Sequence, residues 1–370
     1  MFQAGRVPED LATDEARTLH LTAAESEALD YVRRALEDDL RFEYMDKSER
    51  EASTVRLVCL AHFKRDESHI EDFVAEHGRE PMQRTCFFPV VHLTVTEEFE
   101  LPQGARLIPK ADAKVPGRIL GPDPRETMAS ALAVECVGTN YNNMSRRAMA
   151  TAEHALRALR AGLREERFVP DRQLRFAVGE SVWFDDGASG WSQSPALGWD
   201  YEPGEAALSR AVSQPIASLP PTGGNEVEEC ASRALGWWEQ AHLAVDPLME
   251  VLFLFFALEA ILGTKSGGPK ARPLARRRAI LAHHTTQHFA HPIRVWGLYT
   301  AVRNEAVHGS EAPDVAQDEL DAFSWDVRRA LNEYVDFARA RDLVERDAVL
   351  DVLDGDPDGA RIEREFLPQR

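Results

Sequence analysis

Hydrophobic and polar positions divide the chain into two stretches of different character. In the first, Thr22 and Glu25 form a capping box, and Leu29, Val32, Leu36 and Leu40 follow at helical spacing, which predicts a helix. Thr54 to Phe63 is apolar and β-branched and predicts a strand, and Ile70 to His77 predicts a short helix ended by Gly78. Cys86 to Leu101 predicts one strand or a bent pair, with Pro89 marking an edge or a break. Residues 102 to 124 carry Pro102, Pro109, Pro116, Pro122 and Pro124 and read as loop with short extended pieces. Thr127 to Leu163, rich in Ala and Arg, predicts mainly helix, Leu174 to Phe184 alternates like a strand, and residues 185 to 224 read as an irregular connector.

The run Leu219-Pro220-Pro221-Thr222-Gly223-Gly224 is the strongest boundary signal. Beyond it the pattern is helical throughout. Glu226 to Leu243 predicts one helix. Asp246 caps a second, with Pro247 at its first position, and this helix stays apolar on nearly every side to about Leu262. A basic loop from Gly263 to Pro273 leads to a third helix over roughly Leu274 to His284. Pro292 opens a fourth, which ends at Gly309, and Asp314 with Gln317 resembles a capping box for a fifth carrying Leu320, Phe323, Val327, Leu331, Tyr334 and Val335. The expected fold class is α+β: a mixed α/β region over 1–224, an all-α bundle over 225–345 and a charged tail over 346–370.

Composition narrows the classes. Hydrophobic residues make up 44% of the 370 positions, enough for a sizeable core. No segment approaches the roughly 20 apolar residues that span a bilayer, and the first residues lack a signal-peptide pattern, so no membrane is expected and the expected location is the cytoplasm. Cys59, Cys86, Cys136 and Cys230 are scattered without a CxxC pair and read as buried thiols. The net charge of −19 argues against generic nucleic-acid binding, but its distribution is uneven. Residues 260 to 304 contain no Asp or Glu and carry Lys265, Lys270, Arg272, Arg276, Arg277, Arg278, Arg294 and Arg303, leaving −27 over the remainder. A basic island in an acidic chain is either an anion site or a solvated helix face.

The island runs into Arg303-Asn304-Glu305-Ala306-Val307-His308-Gly309. Arg is a permanent cation shaped to grip phosphate oxygens, and His moves protons near neutral pH. Together they suit RNA cleavage without a metal, in which the 2′-OH loses a proton, the 5′-oxygen gains one, and the extra charge on phosphorus is stabilised. Residues five apart on an ideal helix point about 140° apart. Arg303 and His308 therefore converge only if the helix loosens before Gly309, or if a second copy completes the site. Glu259 sits inside an apolar helix, needs a partner, and has Arg303 as the first candidate, either as a plain structural pair or as the device that aims the Arg.

The segment RNEAVHG resembles the R-x4-6-H signature of HEPN domains, in which a polar residue follows the Arg. Phe256 to Leu262 resembles the "ALEaLl" helix of the ApeA-like HEPN branch, Leu298 to Arg303 resembles its "lY..R" approach, and Arg276 to Leu281 falls where that branch has a basic helix. The likeness covers about residues 225–345. It implies a helical bundle that forms a homodimer with two motifs across one cleft. In many members it also implies a metal-independent endoribonuclease of defence, toxin or RNA-processing systems, restrained by a regulatory partner or antitoxin. Arg303, His308 and Asn304 would then be catalytic and Glu259 and Tyr299 supporting. Lys265, Lys270, Arg272, Arg276, Arg277 and Arg278 would bind RNA, with no cofactor and no metal. Other members are non-catalytic modules that bind RNA, a nucleotide or a protein.

Two further patterns have bland readings. His284, His288 and His291 have i, i+4, i+7 spacing beside His283, but Pro292 breaks the region and no carboxylate lies nearby in sequence, which favours a polar helix end over a metal site. Of Trp237 and Trp238, one is expected in the core rather than stacked on a base.

Overall fold

The computed structural model describes residues 81–117, 123–138, 141–163, 176–179, 181–191, 201–221, 224–264, 270–287, 292–305 and 315–367. The expected helix from Thr22, strand from Thr54 and helix from Ile70 lie outside the described residues. The protein is mixed α+β, with an antiparallel sheet in its first part and, from Glu205 onward, only helical elements among the described residues.

The sheet contains β1 (Met82–Val91), β2 (Phe99–Leu101), β3 (Ala105–Pro109), β4 (Ser130–Gly138), β5 (Ala177–Val178), β6 (Ser181–Phe184) and β7 (Ser189–Trp191), in the order β2-β3-β4-β1-β6-β7 with β5 also on β1. β1 is central. It pairs with β4 along its length, Cys86 opposite Val134, and its other side is shared between β6 at Cys86 and Phe87 and β5 at Val90 and Val91. Pro89 stands in the gap between those two pairings. Its carbonyl accepts from Gly179 N–H at 2.7 Å, so its missing N–H faces the gap and removes nothing from the β4 ladder. The expected break at Pro89 is thus a break in what pairs with β1, not in β1 itself.

Two expectations are corrected in this region. Ser130–Gly138, which propensity assigned to helix, is strand β4, buried on both faces over its first five residues. Ala favours helix, but its small side chain fits a strand covered on both faces, and context overrides the propensity. The connector over 185–224 contains β7 and the helix α2 (Glu205–Val212). Helix α1 (Tyr141–Leu163) lies between the two halves of the molecule. Met144, Ala148, Ala152, Leu156 and Leu159 pack into the core beneath the sheet, while Ala158 and Ala161 pack into the core of the later helices.

Those helices are α3 (Glu226–Leu243), α4 (Pro247–Leu262), α5 (Ala271–Thr286), α6 (Pro292–Leu298), α7 (Gln317–Arg339), α8 (Arg346–Asp354) and α9 (Gly359–Phe366). Asn225 and Glu228 form a reciprocal capping box on α3, and Asp246 accepts from Leu248 N–H ahead of Pro247 on α4. On α7, all six apolar residues expected to face inward are buried. Trp238 is buried and donates to the Ser324 carbonyl at 3.3 Å, while Trp237 stacks on Phe253. The segment read as a charged tail is instead α8 and α9, whose Val349, Leu350, Leu353 and Ile362, with the following Leu367, join the same core. Its charges hid an amphipathic pattern that only two short helices could bury. None of the described helices is long and apolar enough to cross a membrane.

Candidate functional site

The site begins with a change of helical pitch. After α6 the backbone widens into a π-helical turn, Tyr299–Arg303, in which Asn304 N–H donates to the Tyr299 carbonyl five residues back. Thr300 takes up the disturbed carbonyls through its hydroxyl, donating to Trp296 O at 2.8 Å and to Gly297 O at 3.2 Å. Such a turn inserts one extra residue into a helix and re-aims the side chains beyond it, and it recurs at functional sites. The loosening expected between Arg303 and Gly309 is a separate matter, because this widened turn ends at Arg303. His308 and Gly309 lie outside the described residues.

The widened turn stacks Arg303 on Tyr299, with the guanidinium carbon 5.0 Å from the ring centroid. Tyr299 is buried and meets Phe255 of α4 edge to face at 5.1 Å. One turn further along α4, Glu259 Oε1 lies 3.3 Å from Arg303 Nη2, with the two side chains 19% and 16% exposed. This is the expected partner. The pair is an electrostatic contact with spare capacity, because Glu259 Oε1 and Arg303 Nε are both buried and neither completes a hydrogen bond. Burial raises the Tyr299 phenol above its ordinary range. The Glu259 charge and a hydrogen bond to Glu259 add to the rise, and Arg303 opposes it. Tyr299 thus stays a neutral donor beside the carboxylate. Asn304 follows in an α-like conformation and is half-buried.

The C-terminus of α4 is pinned by a residue that the sequence pattern did not single out. Arg346, at the start of α8, donates to the carbonyls of Glu259, at 3.1 Å, and of Gly263. A cation at a helix C-terminus neutralises its exposed carbonyls and dipole, and here it anchors the backbone that carries Glu259.

The rest of the basic island is rearranged. Lys265 lies outside the described residues, Lys270 sits at the N-cap of α5, and Arg272 is half-buried in its first turn. Arg276, Arg277 and Arg278 are corrected as RNA contacts. Arg278 is wholly buried between Asp326, 2.8 Å away, and Glu333, 2.5 Å away. Arg277 is buried on Asp354 and on the Leu262 carbonyl at 2.8 Å. Arg276 bridges Asp354 at 2.7 Å and Glu363 at 2.9 Å. The neutralising carboxylates lie 48 to 87 residues away in sequence, so the acid-free window conceals them.

His284 is likewise a pairing residue. Its Nε2 is 2.7 Å from Asp356, which sequence proximity could not reveal, while His288 and His291 lie outside the described residues. Asp354, Asp356, Asp358, Gly359 and Glu365 also match the spacing of a calcium loop. The fold commits these residues elsewhere: Asp354 and Asp356 face α5, and α9 is already helical from Gly359, where such a loop would curl round its ion. Among the described residues, no three His, Cys, Asp or Glu side chains come together in a way that could hold a metal.

In comparisons with known proteins, no family model, no curated protein and no solved structure matches this chain.

Proposed function

We propose that the protein is a HEPN-type endoribonuclease that cleaves RNA without a metal. In this reading the later helices form a HEPN bundle over about 225–345, and two copies bring their motifs to one cleft. The 2′-oxygen attacks the adjacent phosphorus, a 2′,3′-cyclic phosphate forms, and the bond from phosphorus to the 5′-oxygen breaks. His308 moves the proton that leaves the 2′-OH or the one that reaches the 5′-oxygen, Arg303 stabilises the charge building on the phosphorane, and Asn304 orients the reacting groups.

The observation that supports this reading is the placement of Arg303. It is held beside Tyr299 on a widened turn, with Glu259 fixing one edge of the guanidinium and Nε left without a hydrogen bond. A positioned, partly exposed cation at the head of an R-x4-6-H segment suits an incoming phosphate. The setting that goes with the reading is a cytoplasmic defence or toxin-like nuclease kept in check by a regulatory partner or antitoxin.

The test is incubation of the purified full chain with labelled single-stranded RNA in EDTA. Cleavage by the wild type, lost in both Arg303→Ala and His308→Ala, is the expected result. Equal activity in all three proteins sinks the site.

A second reading is a non-catalytic HEPN module that binds RNA, a nucleotide or a protein. What favours it is the neutralisation of Arg303 by Glu259 and of Arg276, Arg277 and Arg278 by remote carboxylates. It predicts RNA retention without cleavage products, or no RNA interaction at all.

A further inference from the structure

Away from Arg303, a cavity of about 260 Å³ opens where α1 and β5 meet α3. It opens to solvent and is far larger than the site of a single water, which suits a small organic molecule. Its apolar walls come from Leu156, Val178 and Leu243, the last of which is 51% exposed at the rim. Its charged wall is built rather than incidental. Glu239 of α3 receives Arg157 Nε at 2.5 Å on one oxygen and Arg160 on the other. Arg160 also donates to the Phe176 carbonyl at 2.5 Å and lies over the Phe176 ring, so it is held from two sides.

Arg157 differs. Glu239 fixes its Nε, and among the described residues no partner takes its two terminal nitrogens. Its guanidinium is therefore aimed but half-used, beside an apolar hollow. The two arginines share the Glu239 carboxylate, and with Glu153 the lining is net neutral, so an anion is drawn by the local fork of Arg157 rather than by excess positive charge. Glu153, one turn before Arg157 and exposed, lines the same cavity and disfavours a polyanion.

We propose that this cavity binds a small organic anion with one head group, a carboxylate or a phosphate monoester, and a short apolar tail. The head takes the terminal nitrogens of Arg157 as a fork, a geometry that a guanidinium offers and an ammonium does not. The tail lies on Leu156, Val178 and Leu243. Since β5 belongs to the sheet core and α3 to the helical core, the ligand would bridge the two halves of the molecule. The site is independent of the nuclease reading.

The experiment is isothermal titration of the full chain with hexanoate and with butyl phosphate, with hexan-1-ol and adenosine triphosphate as controls. At least one of the two anions should bind, and which one binds identifies the head group. Arg157→Ala should weaken that binding by about tenfold or more, the usual weight of a charge-assisted contact. Leu243→Glu, on the exposed rim where it does not threaten the fold, should weaken it similarly. Hexan-1-ol should bind at least about tenfold more weakly than the anion. The proposal is overturned if neither anion binds, if binding survives both substitutions unchanged, or if adenosine triphosphate binds more tightly than either anion.

Discussion

Arg278 Nη2 lies 2.8 Å from Asp326 Oδ1 inside the helical core, with the guanidinium sealed from water and Glu333 on its other side. Asp326 and Glu333 of α7 share this one buried cation from α5, and Glu333 also receives Arg329 at 2.9 Å. Removing Arg278 leaves the Asp326 charge without its cation in a site with little access to solvent. Arg278→Ala is expected to cost about 3–5 kcal/mol or to prevent folding. Guanidinium unfolding checks this, and an unfolding midpoint near that of the wild type would contradict it. If the variant folds, the salt dependence of any RNA binding should be unchanged, because Arg278 is out of reach of a phosphate.

The Arg303 and Glu259 pair is partly exposed and should be worth less. Arg303→Ala strands Glu259 among apolar neighbours at a cost of about 2 kcal/mol, between the ranges for exposed and buried pairs. Glu259→Gln removes the stranded charge, so the double variant should be more stable than Arg303→Ala alone. A double-mutant cycle by urea denaturation measures the difference. Strict additivity would mean that the two side chains do not interact.

His154 gives the fold an acid limit. It is buried on α1, and burial, helped by the charge of Arg157, holds its imidazole down to about 4 even though a hydrogen bond to the Leu219 backbone pulls the other way. The unfolded chain takes up this proton near pH 6.5 and the folded chain only near 4. Stability is therefore complete above about 6.5 and falls as pH drops toward 4, by up to about 3 kcal/mol. His154→Gln should flatten unfolding free energy across that window. Asp354 acts lower: burial raises its carboxyl, but hydrogen bonds from Arg277 and Arg276 outweigh this and hold it below the ordinary range. Its contribution is lost only as pH falls through the carboxylate range.

Three thiols should be silent in the native protein. Cys86, Cys136 and Cys230 are buried and free, burial pushes the Cys136 thiol up to about 11, and it raises the other two as well. Since the thiolate is the reactive form, a disulfide reagent at pH 8 should reach these three only after denaturant is added. Rapid native reaction at any of them, located by mass spectrometry, would show that strand or helix opening is easier than the packing implies.

Much of the later half was legible because its signals are local. The Asp246 cap before Pro247, the inward stripe on α7 and the need of Glu259 for a cation can each be read within a few turns of helix. What escaped depends on distance. Ser130–Gly138 looks helical by composition, and only its place between β1 and β3 makes it a strand. Arg276, Arg277 and Arg278 look free because Asp326, Glu333, Asp354 and Glu363 come from elements that periodicity cannot dock. The cavity at Arg157 was invisible for the same reason, since its floor is Glu239 on another helix. A hint lay in Arg157 and Arg160 themselves, three residues apart on an Ala-rich helix and so able to clasp one carboxylate.

The π-helical turn makes the Arg303 site a matter of residue count. Tyr299–Arg303 holds one residue more than an α-helix would use for the same advance. Deleting a single residue there, even a small one such as Ala301, would let the backbone relax into ordinary helix and remove the pitch that sets Arg303 on Tyr299. Tyr299 and Arg303 would then stand three residues apart rather than four, and their stacking would meet at a different helical angle. The spacing of this site can therefore tolerate a changed side chain more readily than a lost position, and its phase is written in chain length as much as in chemistry.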